Sequence, residues 1–180
     1  MRLFIAADLP EDLKEKLGKL TADLKKADIL EGNFVKPHLL HLTLKFLGET
    51  TEAKVDEVKK ALQSSTANTK KFFVSLHGIG HFNYKILWAG GSSPELAELA
   101  AKIDSAAHEL GFEKENREYA IHLTLARIKS VKNKDKFKEI LEKYSSAQWG
   151  SFDVSEIKLM KSTLGREGAV YEVVGSFKLQ

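Results

Sequence analysis

The chain has no cysteine, and only three prolines and two methionines, in 180 residues. The missing thiols exclude a disulfide scaffold, a thiolate zinc site, an iron–sulfur cluster and a cysteine nucleophile. They suit a reducing compartment. No apolar run approaches the ~18 residues of a membrane helix. The opening Met1-Arg2-Leu3-Phe4-Ile5-Ala6-Ala7-Asp8-Leu9-Pro10 has a short apolar stretch before an acid and a proline, which reads as a strand and not as a signal peptide. A soluble cytoplasmic protein is expected. Nor does one charge dominate: 28 Lys and Arg against 25 Asp and Glu leave a net +3. That is compatible with an anionic ligand or a short RNA, but it is no basic tail. With 43% apolar and 29% charged residues, the chain is too apolar and too balanced for disorder. Its length fits one domain, or one domain of two lobes, with a core that needs no staples. We read residues 1–180 as a single bilobal domain.

What is present is a mixture of two periodicities. Leu13, Leu17, Leu20 and Leu24 recur at three- and four-residue steps and predict a helix over 11–26, entered at Pro10. Val55, Val58, Ala61 and Leu62 mark a second helix opening at Thr50-Thr51-Glu52. A third runs from Pro94 to Leu110, with Ser93 as N-cap and Gly111 as its stop. A lysine-rich fourth covers Lys134 to Tyr144 and buries Phe137, Ile140 and Leu141. Strands are expected at 2–9, 41–47, 72–79, 86–89, 119–128, 152–154, 157–160 and 170–174, with 33–37 extended. Gly80 to Tyr84 reads as a tight connection, Gly90-Gly91-Ser92-Ser93-Pro94 as a break, and Thr163 to Gly168 as a hairpin turn. Four helices and about eight strands that do not strictly alternate favour an α+β fold with antiparallel sheets.

One pattern carries chemistry. His41-Leu42-Thr43-Leu44 recurs as His122-Leu123-Thr124-Leu125, offset by 81 residues, each copy in an expected strand with a helix pattern soon after. That points to two similar half-units facing each other. Side chains alternate along a strand, so His41 and Thr43 share one face while Leu42 and Leu44 pack on the other; His122 and Thr124 do the same over Leu123 and Leu125. Two such strands across a cleft offer two imidazoles and two hydroxyls, a set that suits a phosphodiester. In-line displacement at phosphorus needs the attacking and leaving oxygens on opposite sides. One neutral histidine can take a proton from water and the other, protonated, can give one to the departing ribose oxygen. The threonine hydroxyls can hold the non-bridging oxygens. Histidine suits both tasks because its ordinary pKa, about 6.5, allows either form near neutrality.

The sequence resembles the 2H phosphoesterase superfamily, named for two H-x-[ST]-x motifs, and its RNA 2′,3′-cyclic phosphodiesterase branch, once described as 2′-5′ RNA ligases. The resemblance includes Met1 to Ala6, His41-Leu42-Thr43-Leu44-Lys45-Phe46-Leu47-Gly48-Glu49, Leu87-Trp88-Ala89-Gly90, His122-Leu123-Thr124-Leu125-Ala126-Arg127, Leu159 to Leu164 and Tyr171-Glu172-Val173. It implies a two-lobed α+β fold with pseudo-twofold antiparallel sheets flanked by helices and a central cleft carrying both motifs. It also implies metal-independent opening of an RNA 2′,3′-cyclic phosphate to a 2′-phosphate end, with no cofactor. Carried over, His41 and His122 are the catalytic pair, Thr43 and Thr124 bind phosphate, and Arg127 is a further phosphate-binding candidate. Ile121 stands where the family often has proline, and the Gly80–Lys85 loop is short. Two alternatives remain: 2′-5′ ligation of RNA ends such as tRNA halves at the same site, and a non-catalytic RNA- or nucleotide-binding module. A monomer is the default.

Strict alternation places Arg127, five residues from His122, on the opposite face, unless a bulge turns it inward. By the same rule Lys45 lies on the His41 face. His38 and His41 are three apart and fall on different faces of an extended segment, so a metal pair is not expected. His77 and His81 suit a strand end or turn, and His108 a helix surface near a C-terminus. The lysines from 129 to 138 read as a solvated helix face, with a tRNA-contacting patch as the sharper reading. Trp88 is expected in the core.

Overall fold

The computed structural model describes all 180 residues. Nine strands and four helices follow in the order β1 (Arg2–Asp8), α1 (Glu11–Lys26), β2 (Leu30–Phe34), β3 (His41–Glu49), α2 (Glu52–Thr66), β4 (Phe72–Phe82), β5 (Ile86–Ser92), α3 (Pro94–Glu109), β6 (His122–Val131), α4 (Lys134–Lys143), β7 (Gln148–Val154), β8 (Glu156–Gly165) and β9 (Gly168–Lys178). A 3-10 turn, Pro37–Leu39, leads into β3. The strands form two sheets with every pairing antiparallel. One has the order β3-β1-β8-β9, the other β2-β6-β5-β4-β7.

The sheets repeat one plan. In each, the motif strand pairs with the strand that precedes a helix: Ala6 lies opposite Thr43 and Asp8 opposite His41, while Trp88 lies opposite Thr124 and Gly90 opposite His122. The helices are exchanged between lobes. α1 leaves the first sheet and packs on β7 of the second, where a side chain at Gly150 would meet Leu13 at 2.8 Å. α3 leaves the second sheet and packs on β3 of the first. A core of 41 buried residues runs through both halves, from Leu13, Leu17, Leu20 and Leu24 of α1 to Val58 and Leu62 of α2 and Ile103 of α3. At roughly 25 cal/mol per Å² of apolar surface, covering these leucine stripes is what fixes α1 and α3 on the opposite lobe.

Helix starts follow the sequence. Ser93 caps α3 by accepting from Leu96 N at 3.2 Å, with Pro94 in the first turn. Gly111 takes a positive φ of 88° just beyond its end. Strands are where the reading falls short. Gly90, Gly91 and Ser92 do not break the chain but continue β5, because a side chain at Gly91 would come within 2.6 Å of the Ser75 carbonyl oxygen. β4 runs on to Phe82, leaving three residues before β5; Asn83 and Tyr84, with φ of 49° and 55°, form the centre of a turn closed by Lys85 N donating to the Phe82 carbonyl oxygen at 2.8 Å, and two successive left-handed residues match a type I′ turn. The 33–37 stretch is split between β2 and the 3-10 turn.

Candidate active site

Both motif strands carry a bulge at the same place. Between β1 and β3, Ile5 pairs with Lys45 and Ala6 with Thr43, so Leu44 has no partner. Between β5 and β6, Leu87 pairs with Ala126 and Trp88 with Thr124, so Leu125 has none. A bulge advances the chain by one residue and reverses the alternation beyond it. In β3, Leu42, Leu44 and then Lys45 are all buried and Phe46 emerges; in β6, Leu123, Leu125 and then Ala126 are buried and Arg127 emerges.

Two readings of the sequence are settled by this. Arg127 lies on the face of His122 and Thr124, close enough to the first lobe for its charge to be felt by the Tyr171 hydroxyl. Lys45 does not share the His41 face. It is 3% exposed on the opposite side, with Nζ 2.7 Å from Asp104 Oδ1 of α3 and 2.8 Å from the Glu113 carbonyl oxygen. Burial alone would raise the Asp104 pKa, but the Lys45 ammonium and the Glu115 amide hold the carboxyl below its ordinary value.

The two histidines adopt one posture. His41 Nδ1 is 2.7 Å from the Leu39 carbonyl oxygen, and His122 Nδ1 is 2.9 Å from that of Ala120, two residues upstream in each case. A carbonyl only accepts, so Nδ1–H donates and the lone pair of the neutral ring sits on Nε2. The motif strands adjoin across the lobe boundary, where the Tyr119 hydroxyl donates to the Thr43 carbonyl oxygen at 3.0 Å.

Their surroundings differ. His41 packs at 5.0 Å from the Phe4 ring and edge-on at 5.2 Å from Tyr171. Burial lowers its pKa below 6.5, against the opposing pull of the Leu39 carbonyl and the Asp8 carboxylate. It opens on a cavity of about 270 Å³ lined by Asp8, Lys14, His38, Lys158 and Tyr171 among others. There Lys158 is bound to Asp8 at 2.6 Å and to Glu156 at 3.3 Å. His122 has Phe82 edge-on at 5.3 Å. A larger cavity of about 460 Å³, lined by His77, Trp88, Gly90 and Tyr119, adjoins the strand leading to it.

The remaining sequence candidates are placed as follows. His38 lies in the 3-10 turn and lines the same cavity as His41, not an opposite face. His81 accepts from Tyr84 N at 3.0 Å, a turn role, and His108 meets the Phe112 carbonyl at 3.2 Å at the end of α3. Trp88 is half-buried, not core: Gly80 makes room for its ring, since a side chain there would be 2.4 Å away. Nowhere do three or more His, Asp or Glu side chains converge as a metal-binding group. The sequence reading missed Phe46, Phe82, Tyr119 and the site role of Tyr171. For Phe46 a signal existed: it stands 81 residues before Arg127, the same offset as the two motifs.

Comparison with known proteins bears on the family and the fold. The model of the AKAP7 2′5′ RNA ligase-like domain matches residues 4–179. The RNA 2′,3′-cyclic phosphodiesterase of Methanocaldococcus jannaschii is 41% identical over 97% of this chain and 98% of its own. That of Methanothermobacter thermautotrophicus is 33% identical over 99% of each. Among solved structures, Escherichia coli LigT in apo form superposes with a TM-score of 0.81 at 26% identity, covering 99% of this chain and 96% of the other. LigT complexed with 3′-AMP superposes with a TM-score of 0.78 at 26% identity, covering 99% and 97%. No helix is long and apolar enough to cross a membrane. Duplicated motif strands, the matched fold and full-length similarity together make this chain a member of the 2H, LigT-like family of RNA 2′,3′-cyclic phosphodiesterases.

Proposed function

We propose that this protein hydrolyses RNA 2′,3′-cyclic phosphate ends to 2′-phosphate ends, with His41 and His122 as proton carriers. The observation that supports it most is their common posture. Each is fixed through Nδ1 to the carbonyl two residues upstream, on adjoining strands, with Nε2 free for the substrate. A water oxygen attacks phosphorus while the neutral imidazole takes its proton. The P–O3′ bond breaks, and the imidazolium gives its proton to O3′, leaving a 2′-phosphate monoester. Thr43 and Thr124 donate to the non-bridging oxygens, and the Arg127 guanidinium supplies countercharge as negative charge builds. Base, acid and charge stabilisation all come from side chains, so the step as written needs no metal or cofactor.

Both histidines belong to one chain, so a monomer suffices. Cytoplasmic RNA fragments, tRNA halves among them, are the substrates this reading implies. The test is turnover of an oligoribonucleotide ending in a 2′,3′-cyclic phosphate, with EDTA present, resolving 2′- from 3′-phosphate products. His41→Ala and His122→Ala should each lower kcat by about 10²–10⁴ with an unchanged circular dichroism spectrum. Tight binding without turnover would make the protein a binding module. A substantial yield of joined ends would put ligation first, against the advantage of water at its high concentration.

A further inference from the structure

We infer that a row of unpaired cations running from Arg127 to the β4–β5 turn is the track for the single-stranded RNA upstream of the reacting end. This deepens the proposed function and rests on it. The charge distribution is the first observation. Residues 127–138 hold six Lys or Arg and one carboxylate, more positive charge than the whole chain carries at net +3. The remainder of the molecule is therefore net acidic; of the six cations Arg127 and Lys129 lie on β6, which begins in the active site, Lys134, Lys136 and Lys138 lie on α4, and Lys132 is paired with Asp28.

The second observation is placement. Beyond the bulge that turns Arg127 to the His122 face, β6 carries another: Glu31 pairs with Ser130 and Gly32 with Ile128, leaving Lys129 without a partner. Ile128 is buried while Lys129 and Ser130 are both exposed, so Lys129 returns to the Arg127 face. Two residues of strand advance about 6.6 Å, comparable to the step between phosphates in an extended strand. The row continues to Lys85, whose carbonyl oxygen accepts from Ile128 N at 2.8 Å. There it rounds the tip of the sheet onto the face that α4 covers, since His81 pairs with buried Leu87 and both His81 and Tyr84 pack on Phe137; Tyr84 is 44% exposed, stacked on His81 at 4.3 Å between centroids, with Lys134 Nζ 5.2 Å from its ring centre.

The third observation is that these cations are free. The lysine ion pairs of the molecule involve other residues; Lys132, nearby, is tied to Asp28 at 2.5 Å. Glu31 and Asp135 border the row, but neither is in an ion pair with it. Free cations that start beside the phosphodiester site at Arg127 and Lys129 and round the sheet tip to an aromatic ring suit a flexible single strand, which offers phosphates and open bases together. A narrow row on one sheet end is too slender to match the two backbones of a duplex.

The experiment compares wild type with the triple variant Lys85→Glu, Lys129→Glu, Lys134→Glu on a 2′,3′-cyclic mononucleotide and on oligoribonucleotides of two to eight residues ending in a 2′,3′-cyclic phosphate. KM of the wild type should fall about tenfold with length and then level. The variant should lose that gain, with unchanged turnover of the mononucleotide. Binding of a fluorescent single-stranded octamer, read by anisotropy, should show a log–log salt slope shallower by about 2 in the variant, at roughly 0.7 per phosphate contact. Absence of turnover on every substrate would defeat the proposed function, while the anisotropy arm would still decide the track. A wild-type KM independent of length, or a variant that binds the octamer with the wild-type salt slope, would overturn the inference.

Discussion

The Tyr119 hydroxyl donates to the Thr43 carbonyl oxygen at 3.0 Å, fastening the segment that leads into the second motif to the backbone of the first. Tyr119 is only three residues ahead of His122. Burial pushes its pKa upward, so the hydroxyl keeps its proton and remains a donor throughout the working range of pH. Tyr119→Phe removes that oxygen alone. Leaving the carbonyl unpaired should cost about 1–2 kcal/mol of stability. On a cyclic mononucleotide, kcat should drop while KM holds, because the distance between the motifs loosens without any loss of binding groups. Calorimetry and steady-state kinetics together check this; an unaltered kcat would mean the lobes keep their spacing without the bond.

His41 should titrate below the ordinary histidine value, because burial disfavours its charged form. The unfolded chain therefore binds more protons than the folded one in this range. The sign follows from that: His41 contributes its full share of stability above about pH 6.5, and that share is lost as pH falls toward the lower folded-state value. Nuclear magnetic resonance titration of its ring protons gives the midpoint. Urea unfolding of His41→Asn between pH 7 and 5 should show a flatter dependence than wild type. A midpoint at or above 6.5 would contradict the burial argument.

Lys45→Met should be among the most destabilising single changes in the molecule. It leaves the Asp104 carboxylate, held at 2.7 Å in the native pair, buried without its counterion. Breaking a buried pair from one side costs about 3–5 kcal/mol. Adding Asp104→Leu to Lys45→Met should recover much of the loss. The depressed Asp104 pKa predicts stability that is present above the ordinary carboxylate value and lost as pH falls through the folded one. Asp104→Asn should therefore blunt acid unfolding. Denaturant midpoints of the two single variants and the double variant test the coupling.

Phe46 is 61% exposed on the site face, 6.2 Å from the Phe4 ring. So open a ring has little core to support, and a nucleobase is the partner its face suits. Base–aromatic stacking is worth about 1–3 kcal/mol. Phe46→Ala should accordingly raise KM for a cyclic mononucleotide by about tenfold or more, with an unchanged melting temperature. Phe46→Trp should restore it. A lowered melting temperature with unchanged KM would assign the ring a packing role instead.

Helix positions were readable because leucine spacing and capping residues are local signals: Ser93, Pro94 and Gly111 bound α3 as expected. The shared face of His41 with Thr43, and of His122 with Thr124, was readable because these residues lie before the bulges, where alternation holds. Lys45 was misplaced and Arg127 left open for one shared reason. A bulge inserts a residue without any composition of its own, and Leu44 and Leu125 look like ordinary strand leucines. The Gly90-Gly91 run misled in the opposite sense. Its glycines serve a close approach to β4, visible only once Ser75 and Trp88 are in place. Tyr119 could not be found at all from local pattern, since its partner is 76 residues away.

The two bulges leave equivalent positions filled by unlike residues, an apolar ring at Phe46 and a guanidinium at Arg127. A perfectly symmetric frame would greet a cyclic ester the same way from either side. Its two ribose oxygens would then be interchangeable, and ring opening would give a mixture of isomers. In the proposed reaction, a nucleobase on the Phe46 side and a phosphate on the Arg127 side would leave the nucleotide only one way in. The regiochemistry of opening would then be written by what differs between the halves, while the proposed proton transfers rest on what they share.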